Sequence, residues 1–310
     1  MKTAIHIYAC EGYTNSGDFL LGPSTKKEFE NIIGAKVKWE NHDVRSLVTK
    51  KHIEYFNTFD YVVIGGGGLF LPDTNPNKIS CWQWRCPVEE YRNIKSKIYV
   101  LGVGWNHFYG QDITMSKATS PDLSFPDLSR VDIFKENIQE LIRVAQLFTM
   151  RHRGDCYNLK LIVNKEYRDK IFFAFCPVIS YLKNKYREDF KTTDSFHAFE
   201  IKDDRPHRRY KGTTRDNFYT ELEKYVKFLQ SKGEKVAVLS NDGSSSFYQY
   251  LKSKNIKVPF LDNTSLADEI KILDNFSKVK KLYCTAGHTQ MTAYAVGIPF
   301  HSLITHDKLE

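Results

Sequence analysis

The chain has 310 residues, of which 41% are hydrophobic and 26% charged. That balance excludes a disordered polypeptide, and the length suits two domains better than a single core. Lys and Arg number 45 against 37 Asp and Glu, so the net charge is +8. This moderate surplus favours an anionic substrate, an acidic glycan or an anionic membrane surface. Because the surplus is not gathered in a basic tail, nucleic-acid binding is disfavoured.

Targeting and metal signals are weak. Apolar runs fall short of the length that spans a bilayer, and Met1 leads into a predicted strand without a signal-peptide pattern. We therefore expect a cytoplasmic protein, with peripheral contact to an anionic membrane surface as a variant of that expectation. The six cysteines lack zinc-site spacing, so we expect reduced thiols and no metal site.

The first half of the chain alternates apolar strand patterns with helical patterns. Strands are predicted at 4–10, 35–39, 59–64, 97–103 and 148–151, and helices at 18–34, 43–56, 81–94, 131–147 and from 154 onward. Residues 106–130 are irregular and rich in Ser, Pro and Asp. Their length predicts a lid or an acceptor loop.

A second alternating series follows the charged stretch 183–194, which we interpret as an inter-domain linker. The domain break is expected between Leu182 and Phe196, giving domains at 1–190 and 191–310. The second series comprises predicted strands at 196–201, 235–240, 258–261, 282–285 and 300–304, and helices at 216–231, 245–254, 266–276 and 288–297. Strands alternating with helices in both halves predict two α/β domains with parallel sheets.

The last strand–turn–helix unit carries the strongest site signal. His288 follows a buried strand and an Ala-Gly turn, and Thr289 is a possible N-cap of the helix. Parallel strands place such a turn at the carboxyl edge of the sheet, where open α/β folds bind ligands and helix N-termini favour anions. The alternative is that His288 only caps the helix or satisfies a local hydrogen bond.

Two further turns in the first half are candidate sites. Asn15, Gly17 and Asp18 follow the first strand, and Asp18 either accepts a proton from an attacking hydroxyl or merely caps its helix. The run Gly65–Gly68 either lets backbone N–H groups approach an anion or glycan, or is a tight turn. It does not match the dinucleotide fingerprint, because Phe70 stands where the third glycine belongs.

Two basic segments also follow predicted strands. One spans 202–211, in which the site candidates are Arg205, His207, Arg208 and Arg209. The other contains Arg151. The first suits phosphate or carboxylate, and Arg151 could reach across the cleft. In both cases the alternative is a solvated basic loop or turn.

The order of these motifs resembles the polysaccharide pyruvyl transferases. The resemblance spans nearly the whole chain and rests on six motifs: Asn-Ser-Gly-Asp at 15–18, Val-Val-Ile-Gly-Gly-Gly-Gly-Leu-Phe at 62–70, Val-Leu-Gly-Val-Gly-Trp-Asn at 100–106, Met-Arg-His-Arg-Gly-Asp at 150–155, Cys-Pro-Val at 176–178 and Ala-Gly-His-Thr-Gln-Met-Thr-Ala-Tyr-Ala-Val-Gly-Ile-Pro at 286–299. The closing Thr-His-Asp-Lys at 305–308 resembles the family's final motif, with Thr305 in place of an aromatic residue.

The resemblance implies a GT-B-like fold, with two Rossmann-like domains facing a cleft. It implies transfer of a pyruvyl group from phosphoenolpyruvate to a glycan or lipid-linked sugar acceptor, without metal or cofactor. His288 matches the histidine that protonates the donor, and Asp18 is the candidate base. Substrate-binding candidates are Asn15, Gly17, Gly66, Gly67, Gly68, Asn106, Arg151, Arg205, His207, Arg208, Arg209, Thr289 and Lys308.

One position departs from the family pattern. Ala286 stands where the family carries arginine, which removes a charged hydrogen bond worth about 1.5–3 kcal/mol. Either Arg205, Arg208 and Arg209 replace that charge, or the donor differs. Two alternatives therefore remain: a GT-B-type glycosyltransferase that uses a nucleotide sugar, and an inactive glycan-binding module.

Overall fold

A computed structural model describes residues 1–11, 15–71, 75, 77–105, 128–193, 195–202, 213–241, 246–264 and 266–303, with backbone only at 128 and 129. It forms two separate parallel sheets with helices between the strands, so the predicted pair of α/β domains is confirmed. None of the helices in these ranges is long and apolar enough to cross a membrane. The predicted loop at 106–130 lies almost entirely outside the described residues, as does most of 202–215.

By their contacts, the residues divide into two compact units. The first comprises Met1–Glu11 and Leu21–Pro177, and the second comprises Gly12–Leu20 and Val178–Glu310. The segment with the Asn-Ser-Gly-Asp motif therefore packs within the second unit, although it is close in sequence to the first strand.

The first unit contains a sheet of six parallel strands. Its strands are β1 (Lys2–Tyr8), β2 (Val37–Asp43), β3 (Tyr61–Phe70), β4 (Lys97–Trp105), β5 (Ala145–Met150) and β6 (Ile171–Phe173), in the spatial order β2-β1-β3-β4-β5-β6. The helices are α1 (Ser16–Ile33, which belongs to this unit from Leu21 onward), α2 (Lys50–Phe56), α3 (Leu128–Val144), α4 (Arg153–Ile162) and α5 (Lys165–Arg168), with a 3-10 turn at Val88–Asn93. All strands are parallel, and successive strands are added on one side of β1 (β2) and then on the other (β3 onward), so the strand order reverses between β1 and β3.

Both faces of this sheet are covered. Alternate residues of the central strands, such as Ile5 and Val62, join a large core rich in buried aromatic rings. The intervening residues Ala4 and Val63 pack on the other face against Phe29 of α1. This two-sided burial explains why the strands are nearly continuous apolar runs in the sequence.

The second unit contains five parallel strands. They are β7 (Phe196–Glu200), β8 (Val236–Ser240), β9 (Phe260–Asp262), β10 (Val279–Cys284) and β11 (Phe300–Ser302), in the order β11-β10-β7-β8-β9. The helices are α6 (Pro177–Tyr186), α7 (Arg215–Ser231), α8 (Ser246–Ser253), α9 (Glu269–Ser277) and α10 (Gly287–Val296). Here the order reverses between β7 and β10.

Two predicted helices are shorter than expected. The helix at 43–56 begins only at Lys50, because the buried Asp43 carboxylate accepts the Arg45 N–H at 2.8 Å and closes a turn. The prediction of a helix at 81–94 is wrong, except that a 3-10 turn forms at Val88–Asn93. Cys81 has a left-handed φ of 58°, and the buried Trp82 and Trp84 follow a period of two, which is not helical.

The predicted glycine-rich turn at 65–68 is also wrong, because β3 continues through it to Phe70. A Cβ at Gly66 would lie 2.8 Å from Thr25 Oγ1, and one at Gly65 would overlap the Leu101 carbonyl oxygen. Gly66 also has a φ of 76°, which disfavours other residues. These glycines therefore let β3 approach β4 and α1 closely.

Candidate functional site

The candidate site lies at the carboxyl edge of the second sheet, where its strand order reverses. The ends of β7 and β10 are neighbours there, and the Thr285 N–H donates to the Glu200 carbonyl at 3.0 Å. The Lys202 N–H in turn donates to Thr285 Oγ1 at 2.7 Å. Such reversal points are where open α/β sheets bind ligands. The start of the basic segment is thus hydrogen-bonded to the start of the His288 turn.

His288 lies in the first turn of α10. The helix begins at Gly287 with Ala286 in the N-cap position, where Ala makes no side-chain cap. The predicted N-cap role of Thr289 is therefore wrong, because the residue is already helical. The predicted stop at Gly297 is confirmed by its left-handed φ of 86°. His288 is half-buried and stands at the positive end of the α10 dipole.

A second helix N-terminus meets the same imidazole. Asn15 caps α1, since its Oδ1 accepts the Gly17 N–H at 2.8 Å and its carbonyl accepts the Asp18 N–H at 3.1 Å. The Asn15 Nδ2 lies 3.5 Å from His288 Nδ1. Because Nδ2 is only a donor, this contact suits the neutral His288 tautomer that carries its proton on Nε2.

Gly17 sets how closely the two helices approach. A Cβ at this position would lie 2.6–2.7 Å from the Cβ, Cγ and Nδ1 atoms of His288. No atom pair of this kind is tolerated, so any other residue would displace the imidazole or the α1 terminus. Asp18, half-buried in the same first turn of α1, is therefore held on the element that touches His288.

Buried polar side chains join these two helix starts. Thr289 is fully buried, and its Oγ1 accepts the Asn241 Nδ2 at 2.6 Å. Asn241 follows β8 directly, and its Oδ1 accepts the Ser16 hydroxyl at 3.1 Å. Sequence reasoning missed Ser16 and Asn241, although a polar residue directly after an apolar strand was the signal that could have found Asn241.

The remaining predicted residues fall elsewhere. Gly66 and Gly67 are buried in β3 of the first unit, and Gly68 is half-buried there. Arg151 follows β5 in that unit; it is 4% exposed and its guanidinium lies against Gly104. Outside the described residues lie Asn106, Arg205, His207, Arg208, Arg209 and Lys308.

The chemistry available around His288 is that of hydrogen-bond donors and a titratable ring. In the part of the chain that the structure describes, no group of three or more His, Cys, Asp or Glu side chains is arranged to hold a metal ion. All six cysteines are described, and no disulfide joins them. The arrangement can attract an anion with two helix N-termini and can exchange a proton through the imidazole.

Comparison with known families agrees with the sequence motifs. The profile of the polysaccharide pyruvyl transferase family matches residues 15–307, which include both helix starts at the site. No curated protein sequence matches the chain significantly.

Solved structures with a similar fold include sugar-nucleotide epimerases. The S. aureus MnaA–UDP co-structure has a TM-score of 0.54 and 11% identity, covering 99% of this chain and 81% of that one. UDP-GlcNAc 2-epimerase from Neisseria meningitidis, bound to UDP-GlcNAc, has a TM-score of 0.52 and 10% identity, covering 98% and 82%. UDP-GlcNAc 2-epimerase from Methanocaldococcus jannaschii has a TM-score of 0.50 and 11% identity, covering 98% of this chain and 84% of that one. At such identities the likeness concerns the fold alone, and it confirms the predicted GT-B-like class.

Proposed function

The chain belongs to the polysaccharide pyruvyl transferase family, a family of enzymes, and from that premise we propose that it transfers a pyruvyl group from phosphoenolpyruvate to a sugar of a cell-surface polysaccharide or its precursor. One observation supports this most directly. Within the family match, His288 stands where two helix N-termini meet at the reversal point of the second sheet. Phosphoenolpyruvate carries a phosphate and a carboxylate, the groups that such termini attract.

His288 is the proposed general acid. It gives a proton to the methylene carbon of phosphoenolpyruvate, so that an oxocarbenium-like centre develops at C2. An acceptor hydroxyl then attacks C2, and Asp18 is the proposed base that removes the hydroxyl proton. The C2–O bond to phosphate breaks, and a second sugar hydroxyl closes the ketal. The two sugar hydroxyls release two protons. Over the cycle one of them returns to His288, which gave its own to the methylene carbon, and the other leaves with inorganic phosphate.

The donor's negative charge needs a cationic partner, and Ala286 does not supply one. We assign this role to Arg205, Arg208 and Arg209, with His207 beside them, because they continue the chain from Lys202, whose N–H bonds the His288 turn. Changing the three arginines to glutamine should weaken phosphoenolpyruvate binding and reduce its salt dependence. The matched control changes three exposed cations, Lys224 and Lys227 of α7 and Lys232 at its C-cap, to glutamine. Equal donor affinity in both triple variants would contradict the assignment.

The acceptor is proposed to be a glycan or a lipid-linked sugar. Asn15, which lies beside His288, is proposed to contact it. A lipid-linked acceptor would bring the enzyme to an anionic membrane surface, for which a net charge of +8 is suited.

The donor assignment is tested by titrating phosphoenolpyruvate and a panel of nucleotide sugars at low salt and following calorimetric heat or thermal shift. The nucleotide sugars belong in the panel because similar folds are known with UDP and UDP-GlcNAc bound. Stabilisation by phosphoenolpyruvate is expected, and Ala286→Arg should tighten that binding. Stabilisation by a nucleotide sugar, with none by phosphoenolpyruvate, would overturn pyruvyl transfer and favour a glycosyltransferase.

The role of His288 is tested separately with His288→Ala. We expect this variant to lose phosphate release from phosphoenolpyruvate while its melting temperature stays near that of the wild type. His301→Ala is the matched control, because His301 is an exposed histidine of the same unit, on strand β11. Retained turnover in His288→Ala would require another acid.

A further inference from the structure

Three hydrogen-bonded side-chain amides, two of them buried, lead to the first turn of α10. Asn275 Nδ2 donates to Asn263 Oδ1 at 2.7 Å, Asn263 Nδ2 donates to Asn241 Oδ1 at 3.0 Å, and Asn241 Nδ2 donates to Thr289 Oγ1 at 2.6 Å. Asn241 and Asn263 are 5% and 0% exposed. Each amide donates towards Thr289, so the three hydrogen bonds are aligned. Aligned hydrogen bonds of this kind polarise one another.

Asn241 is the branch point of this chain. In addition to these two amide contacts, its Oδ1 accepts the Ser16 hydroxyl at 3.1 Å, and its backbone carbonyl accepts the Ser16 N–H at 2.9 Å. Ser16 and Thr289 are the residues next to Asn15 and His288. Asn241 therefore holds both helix starts whose polar groups meet at the imidazole: its side chain bonds Thr289, and its side chain and backbone carbonyl bond Ser16.

The asparagine amide satisfies these partners together, because it donates through Nδ2 and accepts through Oδ1 at the same site. An aliphatic side chain could do neither. Leaving these buried groups without a partner is unfavourable, so the network resists rearrangement.

We propose that Asn241 is a positioning residue of the His288 site: by tying Ser16 to Thr289, it sets the separation between the Asn15 amide and the His288 imidazole. This inference rests on the proposed function in that His288 is taken as the acid. Asn241 itself is buried and acts through the two helices rather than on the substrate. Its effect is therefore on the tautomer and placement of the ring.

The test compares Asn241→Ala and Thr289→Val, which each break the tie, with Thr289→Ser, which keeps the hydroxyl. Val238→Ala is the matched control, since it removes buried volume from the same strand β8 without touching the network. Two quantities are measured in each protein. One is the pH titration of the His288 ring by long-range 1H–15N NMR, and the other is kcat and KM for phosphate release from phosphoenolpyruvate.

We expect kcat to fall about tenfold or more in the two tie-breaking variants, because small misplacements of an acid are costly. The His288 titration should move to higher pH, since a loosened Asn15 donor no longer favours the neutral ring. Thr289→Ser should keep wild-type values, and Val238→Ala should lower only the melting temperature. If Asn241→Ala does not fold, Thr289→Val tests the same tie.

An unmoved His288 titration in folded variants would overturn the inference and leave Asn241 a purely structural residue. The NMR titration of His288 does not depend on which donor the enzyme uses. If the wild type releases no phosphate from phosphoenolpyruvate, the proposed function fails, yet the NMR titration still decides whether Asn241 governs the ring. A moved titration supports the inference in that case too.

Discussion

Replacing Asn15 by aspartate should convert its contact with His288 from one that favours the neutral ring to one that favours the charged ring. The carboxylate can still cap α1 by accepting the Gly17 N–H. Its second oxygen would take the place of Nδ2, which lies 3.5 Å from His288 Nδ1. There it can accept a hydrogen bond from a protonated Nδ1. Asn15→Asp should therefore raise the pKa of His288.

The size of this effect follows from the distance. Opposite unit charges 3.5 Å apart attract by about 1.2 kcal/mol at the dielectric constant of water and by about 4.7 kcal/mol at an effective value near 20. Because His288 is half-buried, the attraction lies between these two limits, and the pKa of the ring should rise.

The assay is the NMR titration of the His288 ring, with the pH dependence of kcat/KM as the kinetic counterpart. The basic limb of the activity profile should move to higher pH by the same amount. Asn217→Asp is the control, because it adds the same charge in the exposed first turn of α7. A His288 titration that moves no more in Asn15→Asp than in this control would refute the proposed contact.

Three other substitutions have defined outcomes. Gly17→Ala should abolish most activity, because its Cβ would overlap the His288 ring and displace the imidazole or the α1 terminus. Gly66→Ala should instead lower the melting temperature, since φ is 76° and its Cβ would lie 2.8 Å from Thr25 Oγ1. Burial lowers the pKa of His6 to about 3, so the unfolded chain binds a proton that the folded chain excludes, and stability falls as pH drops from about 6.5 towards 3. His6→Gln should therefore reduce the loss of unfolding free energy between pH 7 and 5, measured by urea denaturation, by about 2 kcal/mol.

The fold was predictable because its signals are local. Apolar runs closed by Gly, Pro or polar residues gave β7 to β10 within a few residues, and Gly297 ended the last helix as expected. The failures occurred where tertiary contacts override local pattern. Trp82 and Trp84 are drawn into the core with a period of two, although the composition of that stretch is compatible with a helix.

The site was only half predictable for a related reason. Strand ends could be located in the sequence, and parallel topology brings them to one edge of a sheet. The contact between Asn15 and His288 joins positions 273 residues apart, and the Ser16–Asn241 bond joins positions 225 apart. Such pairs depend on how each strand end lies beside the next, and no single-sequence period encodes that arrangement.

The loss of the family arginine at Ala286 can be reconciled with an anionic donor through the same two helices. Each N-terminus attracts an anion by about 0.3–1 kcal/mol, and by up to about 2 kcal/mol when partly buried. The ends of α1 and α10 together therefore approach the about 1.5–3 kcal/mol of one charged hydrogen bond. An arginine two residues before His288 would also repel a second positive charge and lower the pKa of the ring. A site that uses dipoles beside the imidazole attracts the donor without a full positive charge two residues from His288.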